Sequence, residues 1–142
     1  MDNYIDEVFG DLVYDEGLST KIDINIFSKI SNVRLYLAVD EISEISEGQK
    51  KAFIAFKNNQ KNLLKQIEIE VILYCKNNYD DETNVNIFNK IKLSTISIRM
   101  FSKTNKRVIG FVFDTDFDSE MGIGVVLENE KIRDVGTQHV AC

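Results

Sequence analysis

Hydrophobic side chains recur at every second position on both sides of a single helical block, and this arrangement narrows the fold more than any other property of the chain. Between Lys21 and Phe27, residues Ile22, Ile24 and Ile26 face one way while Lys21, Asp23 and Asn25 face the other. Asn32 to Asp40 repeats the pattern, with Val33, Leu35, Leu37 and Val39 set against Arg34, Tyr36 and Ala38. Period-two alternation with one polar face predicts antiparallel strands covered on one side only. Phe9 to Tyr14 reads as a shorter strand ahead of them. Asp15-Glu16-Gly17 supplies the turn chemistry in between. Three strands therefore open the chain.

The period then changes. Ser46-Glu47-Gly48-Gln49 matches the S-x-x-Q capping box, in which the serine hydroxyl and the glutamine side chain satisfy each other's free backbone N–H groups. That role accounts for Gln49 without a ligand. Downstream, Ala52, Phe53 and Phe56 fall in helical phase with Gln49, and Leu63, Leu64, Ile67, Val71, Tyr74 and Asn78 continue in a second run. Asn58-Asn59-Gln60-Lys61-Asn62 between them is poor in helix formers, so residues 46–78 are expected to hold two helices with a break. Lys50, Lys57 and Lys61 share one helix face, a basic stripe.

A polar loop over Asn77 to Asn86 and a helical turn near Ile87 to Ile91 lead into four more strands. Ile96, Ile98 and Met100 mark the first, and Lys103 to Lys106 resembles a hairpin tip. Arg107 to Phe117 carries Ile109, Phe111, Phe113 and Phe117 on one face. Ile123 to Leu127 and Ile132 to Val135 flank a Glu128-Asn129-Glu130 turn. The expected fold is α+β: an antiparallel sheet of about seven strands, three before and four after a two-helix segment, with the helices on its apolar face.

Composition bounds the function. A chain of 142 residues is most simply one domain, 1–142, and can bury a sufficient core without disulfides or metals. Net charge of −6 and a pI near 4.8 disfavour nucleic acid, whose backbone needs a basic footprint. Two cysteines, Cys75 and Cys142, are too few for a disulfide scaffold. The acidic start MDNYIDEVFGD lacks the features of a signal peptide, and no apolar run suits a membrane. A cytoplasmic protein with no membrane partner is expected.

Chemistry concentrates between Phe113 and Gly136, where Asp114, Asp116, Asp118 and Glu120 stand at alternate positions before Gly122-Ile123-Gly124. On a strand the aspartates would share a face about 6.6 Å apart and repel one another. Lys or Arg on a neighbouring strand (Arg34, Arg99 or Arg107 among them), solvent, a protein partner or a cation could offset them. The four acids are read as a partner-binding row, with Asp114, Asp116 and Asp118 as a divalent-cation set in the alternative reading. The calcium-loop template itself fails, because Ser119 replaces its glycine and Val125 its bidentate glutamate. The glycines do not complete a dinucleotide fingerprint, since Leu127 occupies the third position, and they are read as turn residues. His139 is the sole histidine, and no motif joins it to Cys75. No catalytic residue and no cofactor are assigned.

Two stretches resemble a bacterial domain family of unknown function. Ile45-Ser-Glu-Gly-Gln49 leading into Ala52-Phe53-x-x-Phe56-x-x-Asn59 is similar to the family's I-S-x-x-Q-x-x-A-x-x-x-F-x-x-N helix. The run Phe113-Asp-Thr-Asp-Phe-Asp-Ser-Glu-Met-Gly-Ile-Gly-Val resembles its acidic-aromatic D-x-D-x-E-H-G-x-G-V segment, closed by Val135-Gly136-x-Gln138. Phe9-Gly10 and Tyr14 fit its opening. The resemblance implies a compact cytoplasmic α+β domain, some of whose relatives look like immunity proteins that neutralise polymorphic toxins. A toxin-like protein partner follows as the expectation. Met121 departs from the family, which often carries histidine there.

Overall fold

The computed structural model describes residues 2–39, 45–79, 87–99, 106–118 and 120–141. Among the described residues eight strands form one sheet whose spatial order equals their order in the chain. β1 (Asp2–Asp6), β2 (Gly10–Tyr14), β3 (Leu18–Ile26) and β4 (Lys29–Leu37) run as an antiparallel meander. Helices α1 (Glu47–Asn58) and α2 (Gln60–Asn78) follow, and then β5 (Ile91–Ile98), β6 (Val108–Thr115), β7 (Ile123–Glu128) and β8 (Lys131–Gly136).

Three features differ from the sequence expectation. The sheet has eight strands, because Asp2–Asp6 pairs along its whole length with β2. It is not purely antiparallel: β4 and β5 are parallel, from Arg34 opposite Thr95 to Leu37 opposite Ile98. Parallel neighbours need a long crossover, which the helices supply. Finally, β6 stops at Thr115, short of Phe117.

Helix placement follows from local chemistry. The Ser46 hydroxyl accepts from the Gln49 N–H at 3.1 Å, and the Gln49 Oε1 accepts from the Ser46 N–H at 3.0 Å, completing the expected capping box. Gln49 does more than cap. Its side chain is fully buried, and Nε2 donates to the carbonyls of Ala38 at 3.0 Å and Ile98 at 3.2 Å, tying α1 to the end of the parallel strand pair. The helices separate at Asn59, inside the expected break. Their buried faces, including Phe56, Leu63, Ile67 and Val71, close over Leu35, Ile96 and Phe111 of the sheet. Phe56 meets Phe111 with ring centroids 5.6 Å apart.

The β3–β4 connection is tighter than the sequence suggests. Phe27 and Ser28 both adopt positive φ, 55° and 60°, the two-residue I′ pattern normally filled by Asn and Gly. A bulky residue is disfavoured there. Two anchors hold it: the Phe27 N–H donates to Glu68 Oε2 on α2 at 2.9 Å, and its buried ring lies against Phe88 and Phe113.

Candidate functional site

The expected acidic row resolves into side chains with different duties. On β6, Phe111 and Phe113 point into the core and Asp114 points out to solvent. After Thr115 the chain leaves the sheet. The Asp116 N–H donates to the Lys90 carbonyl at 3.0 Å, and the Phe117 N–H donates to Thr115 Oγ1 at 3.2 Å. Asp116 therefore stands exposed in a turn, out of strand register with Asp114. Asp118 is half-buried and builds the next turn: its Oδ1 accepts from the Met121 N–H at 3.1 Å and its carbonyl from the Gly122 N–H at 3.1 Å. Glu120 is exposed, and its carbonyl accepts from Gln138 Nε2 at 3.5 Å.

Asp114, Asp116 and Glu120 thus form an exposed rim, with Asp118 turned inward as a brace. Among the described residues no ion pair reaches any of the four carboxylates. The expected arginines are engaged elsewhere. Arg107 grips Glu130 in a bidentate pair at 2.7 and 2.8 Å, Arg34 lies over the Tyr36 ring, and Arg99 Nη2 donates to the Val140 carbonyl. Of the expected neighbouring-strand cations, lysines face the rim. Lys92 stands opposite Asp114 in the β5–β6 register, and Lys90 lines with both aspartates a shallow pocket of about 360 Å³. Among the described residues no three His, Cys, Asp or Glu side chains gather as a metal set, Asp114, Asp116 and Asp118 included.

Behind the rim lies an aromatic stack that the sequence did not reveal. Phe117 stacks on Tyr79 at 5.1 Å with rings 17° apart, and Tyr79 meets Tyr74 edge-on at 6.1 Å. Lys90 Nζ sits 5.3 Å from the centre of the Phe117 ring. Burial, then the neighbouring Tyr74 and the Asp118 carboxylate, push the Tyr79 hydroxyl up to about 12. Burial and Asp118 raise Tyr74 as well. Only three-dimensional proximity joins these residues: Tyr79 lies just past the end of α2 and Phe117 just past the end of β6.

The glycines serve the same corner. Gly122, at φ 58°, makes the turn that the sequence predicts. Gly124 has another role. It lies within β7 on the face away from the helices, where an added Cβ would stand 2.6 Å from the Thr137 carbonyl oxygen and 2.9 Å from Val140 Cγ2. The space serves the 3-10 helix Gln138–Ala141, which folds back over β6 and β7 and buries Ala141 completely. The Gln138 N–H fastens this segment by donating to the Met121 carbonyl at 2.9 Å. His139 is exposed upon it, whereas Cys75 is buried on the core-facing side of α2, its thiol pushed up to about 11.

A mixed sheet with helices on one face, a short C-terminal 3-10 helix on the other and an acidic turn fastened to it defines an α+β domain of distinctive build. Residues 8–142 match the model of a domain of unknown function, DUF6985, and the chain belongs to that family. No curated protein and no solved structure matches the chain. The segments that carried the sequence resemblance have structural roles here: the helix cap with its buried Gln49, and the glycine and glutamine contacts that dock the C-terminal segment. Among the described residues no helix is long and apolar enough to cross a membrane.

Proposed function

We propose that this chain is a non-enzymatic protein-interaction domain, an immunity-type protein that neutralises a toxin-like partner by direct binding in the bacterial cytoplasm. The observation that carries this reading is the rim: Asp114, Asp116 and Glu120 are exposed, free of internal ion pairs among the described residues, and mounted on backbone held by hydrogen bonds. Charges presented in that state suit a basic partner surface, since complementary fields accelerate encounter and suppress wrong partners. The burial of Cys75 and the exposed, separate His139 accord with a binding role.

Co-expression with a toxin encoded beside the gene tests the proposal. Cells carrying the wild-type chain should survive, and the two proteins should co-elute on gel filtration. Neutralising the rim (Asp114→Asn, Asp116→Asn, Glu120→Gln) should slow association by roughly tenfold or more at low salt. Survival unaffected by the wild-type chain, together with no complex on gel filtration, would sink the reading.

A further inference from the structure

A second charged feature lies away from the rim, where the α1–α2 junction meets the β3–β4 hairpin. Of the lysines expected to share a stripe, Lys50 leaves it, turning toward Asp6 at 3.7 Å and Glu47 at 3.8 Å. Lys57 and Lys61 remain, and Lys65 extends them. All three line a groove of about 640 Å³ floored by Leu64. Among the described residues none of the three has a carboxylate partner. Among the described lining residues the one acid, Glu68, is turned to the β3–β4 turn, where its Oε2 accepts the Phe27 N–H at 2.9 Å, and it leaves a net excess of two positive charges in the groove. Three lysines without an ion pair among the described residues, within nine positions, are unexpected in a chain of net charge −6.

The lysine spacing selects the ligand. Lys61 and Lys65, four positions apart on α2, are separated by a rise of about 6 Å, and Lys57 continues the row from the end of α1 in the same groove. Same-side carboxylates on an extended chain repeat at about 6.6 Å. The row therefore spans too great a length for one phosphate and matches an acidic polypeptide laid along it. Beyond Lys65 the same i, i+4 line continues through Ile69 and Leu73, which are 52% and 46% exposed. Nucleic acid fits poorly, because the rest of this acidic molecule would repel a long polyanion.

The geometry points to the Lys57–Lys61–Lys65 groove as a docking site for an acidic polypeptide segment whose carboxylates meet the lysines and whose apolar residues cover Ile69 and Leu73. This rests on the reading of the chain as a protein-interaction domain, and assigns it a second face, opposite in charge to the rim.

The test uses fluorescence anisotropy with a labelled peptide carrying glutamate at alternate positions and two leucines at one end. Binding should appear at low salt and fall as salt shortens the screening length. Lys61→Glu with Lys65→Glu should weaken it about tenfold or more without altering the circular dichroism melt, whereas Asp114→Asn with Asp116→Asn should leave it intact. No binding, or binding indifferent to the lysine reversals, overturns the proposal. So does equal displacement by tripolyphosphate or by duplex DNA, which would make the groove a general anion site. Concentration-dependent self-association abolished by the same reversals would assign the groove to a second copy of the chain and also overturn it. Failure here leaves toxin protection by the rim untouched, and loss of protection in the rim variants leaves peptide binding untouched, so the two readings fail separately.

Discussion

Replacing Gly124 by alanine tests whether the paired glycines of the acidic segment exist to seat the C-terminal 3-10 helix. The new methyl carbon would stand 2.6 Å from the Thr137 carbonyl oxygen and 2.9 Å from Val140 Cγ2. Comfortable carbon contacts begin near 3.5 Å, so the segment must lift by about 1 Å. The Gln138 N–H bond to Met121, now 2.9 Å, would then stretch beyond useful length. Overpacking costs about 1–3 kcal/mol and the lost bond about 1, a total of roughly 2–4 kcal/mol. For a chain of this size that lowers Tm by roughly 4–16 °C. Urea melts should show the loss, and hydrogen exchange should show the Gln138 amide opening while the β6–β7 amides stay protected. The decisive control deletes residues 137–142, so that both clashing atoms are gone. If the clash is the cause, Gly124→Ala adds almost nothing in the shortened chain, giving a large coupling in the double-mutant cycle. An equal penalty with and without the segment would refute the reasoning.

Two further outcomes follow from one buried and one half-buried group. Gln49→Leu removes the donors to Ala38 and Ile98 and the acceptor for the Ser46 N–H, and should cost about 2–4 kcal/mol in urea melts while leaving the fold intact; a loss below about 1 kcal/mol would deny that Gln49 ties helix to sheet. Tyr79 titrates from 10.0 when free to about 12 in the folded protein. The folded state thus retains a proton that the unfolded chain gives up, so this contribution to stability is fully present below pH 10 and is lost as pH rises from 10 toward 12. Tyr79→Phe should flatten that fall in Tm, and Asp118→Asn should lower the late tyrosinate step seen by near-ultraviolet absorbance.

What the sequence made legible was the part of the fold written in side-chain alternation. Leu35, Leu37, Ile96, Phe111 and Val125 all turn inward as their period requires. The remainder depends on other physics. β1 was illegible because its one aliphatic residue, Ile5, is 78% exposed while Tyr4 packs on the core beside the buried Asp6, so Asp2–Asp6 shows no apolar alternation to announce its pairing with β2. The Phe27–Ser28 turn has no Asn or Gly to announce it; distant residues, Glu68 and Phe88, hold its backbone in place. The parallel β4–β5 contact arises from where the helices return the chain, which no local pattern records. At the rim, alternation overshot. Phe117 keeps period with Phe113 yet leaves the sheet to stack on Tyr79, which puts Asp116 in a turn and bends Asp118 inward.

That overshoot bears on how the rim would work. A flexible acidic loop would lose conformational freedom on meeting a partner, at about 0.5–1.5 kcal/mol for each immobilised side chain and more for the backbone. Here the backbone cost is already met during folding. Asp116 is anchored through its N–H to Lys90, Asp118 closes a turn onto Met121 and Gly122, and Gln138 clasps Glu120 and Met121 from the C-terminal side. If the rim binds as proposed, the glycine floor that admits the 3-10 helix would support binding without itself meeting the partner. The consequence separates two kinds of variant. Neutralising Asp114 removes attraction, and should slow association with little effect on melting. Gln138→Ala keeps the backbone bond to Met121 and every charge but removes the side-chain bond to the Glu120 carbonyl, and should chiefly speed dissociation, because Glu120 then gains freedom that binding must remove again. Stopped-flow and surface-binding kinetics resolve the two effects. If Gln138→Ala left dissociation unchanged, the fastened turn would be a feature of folding alone.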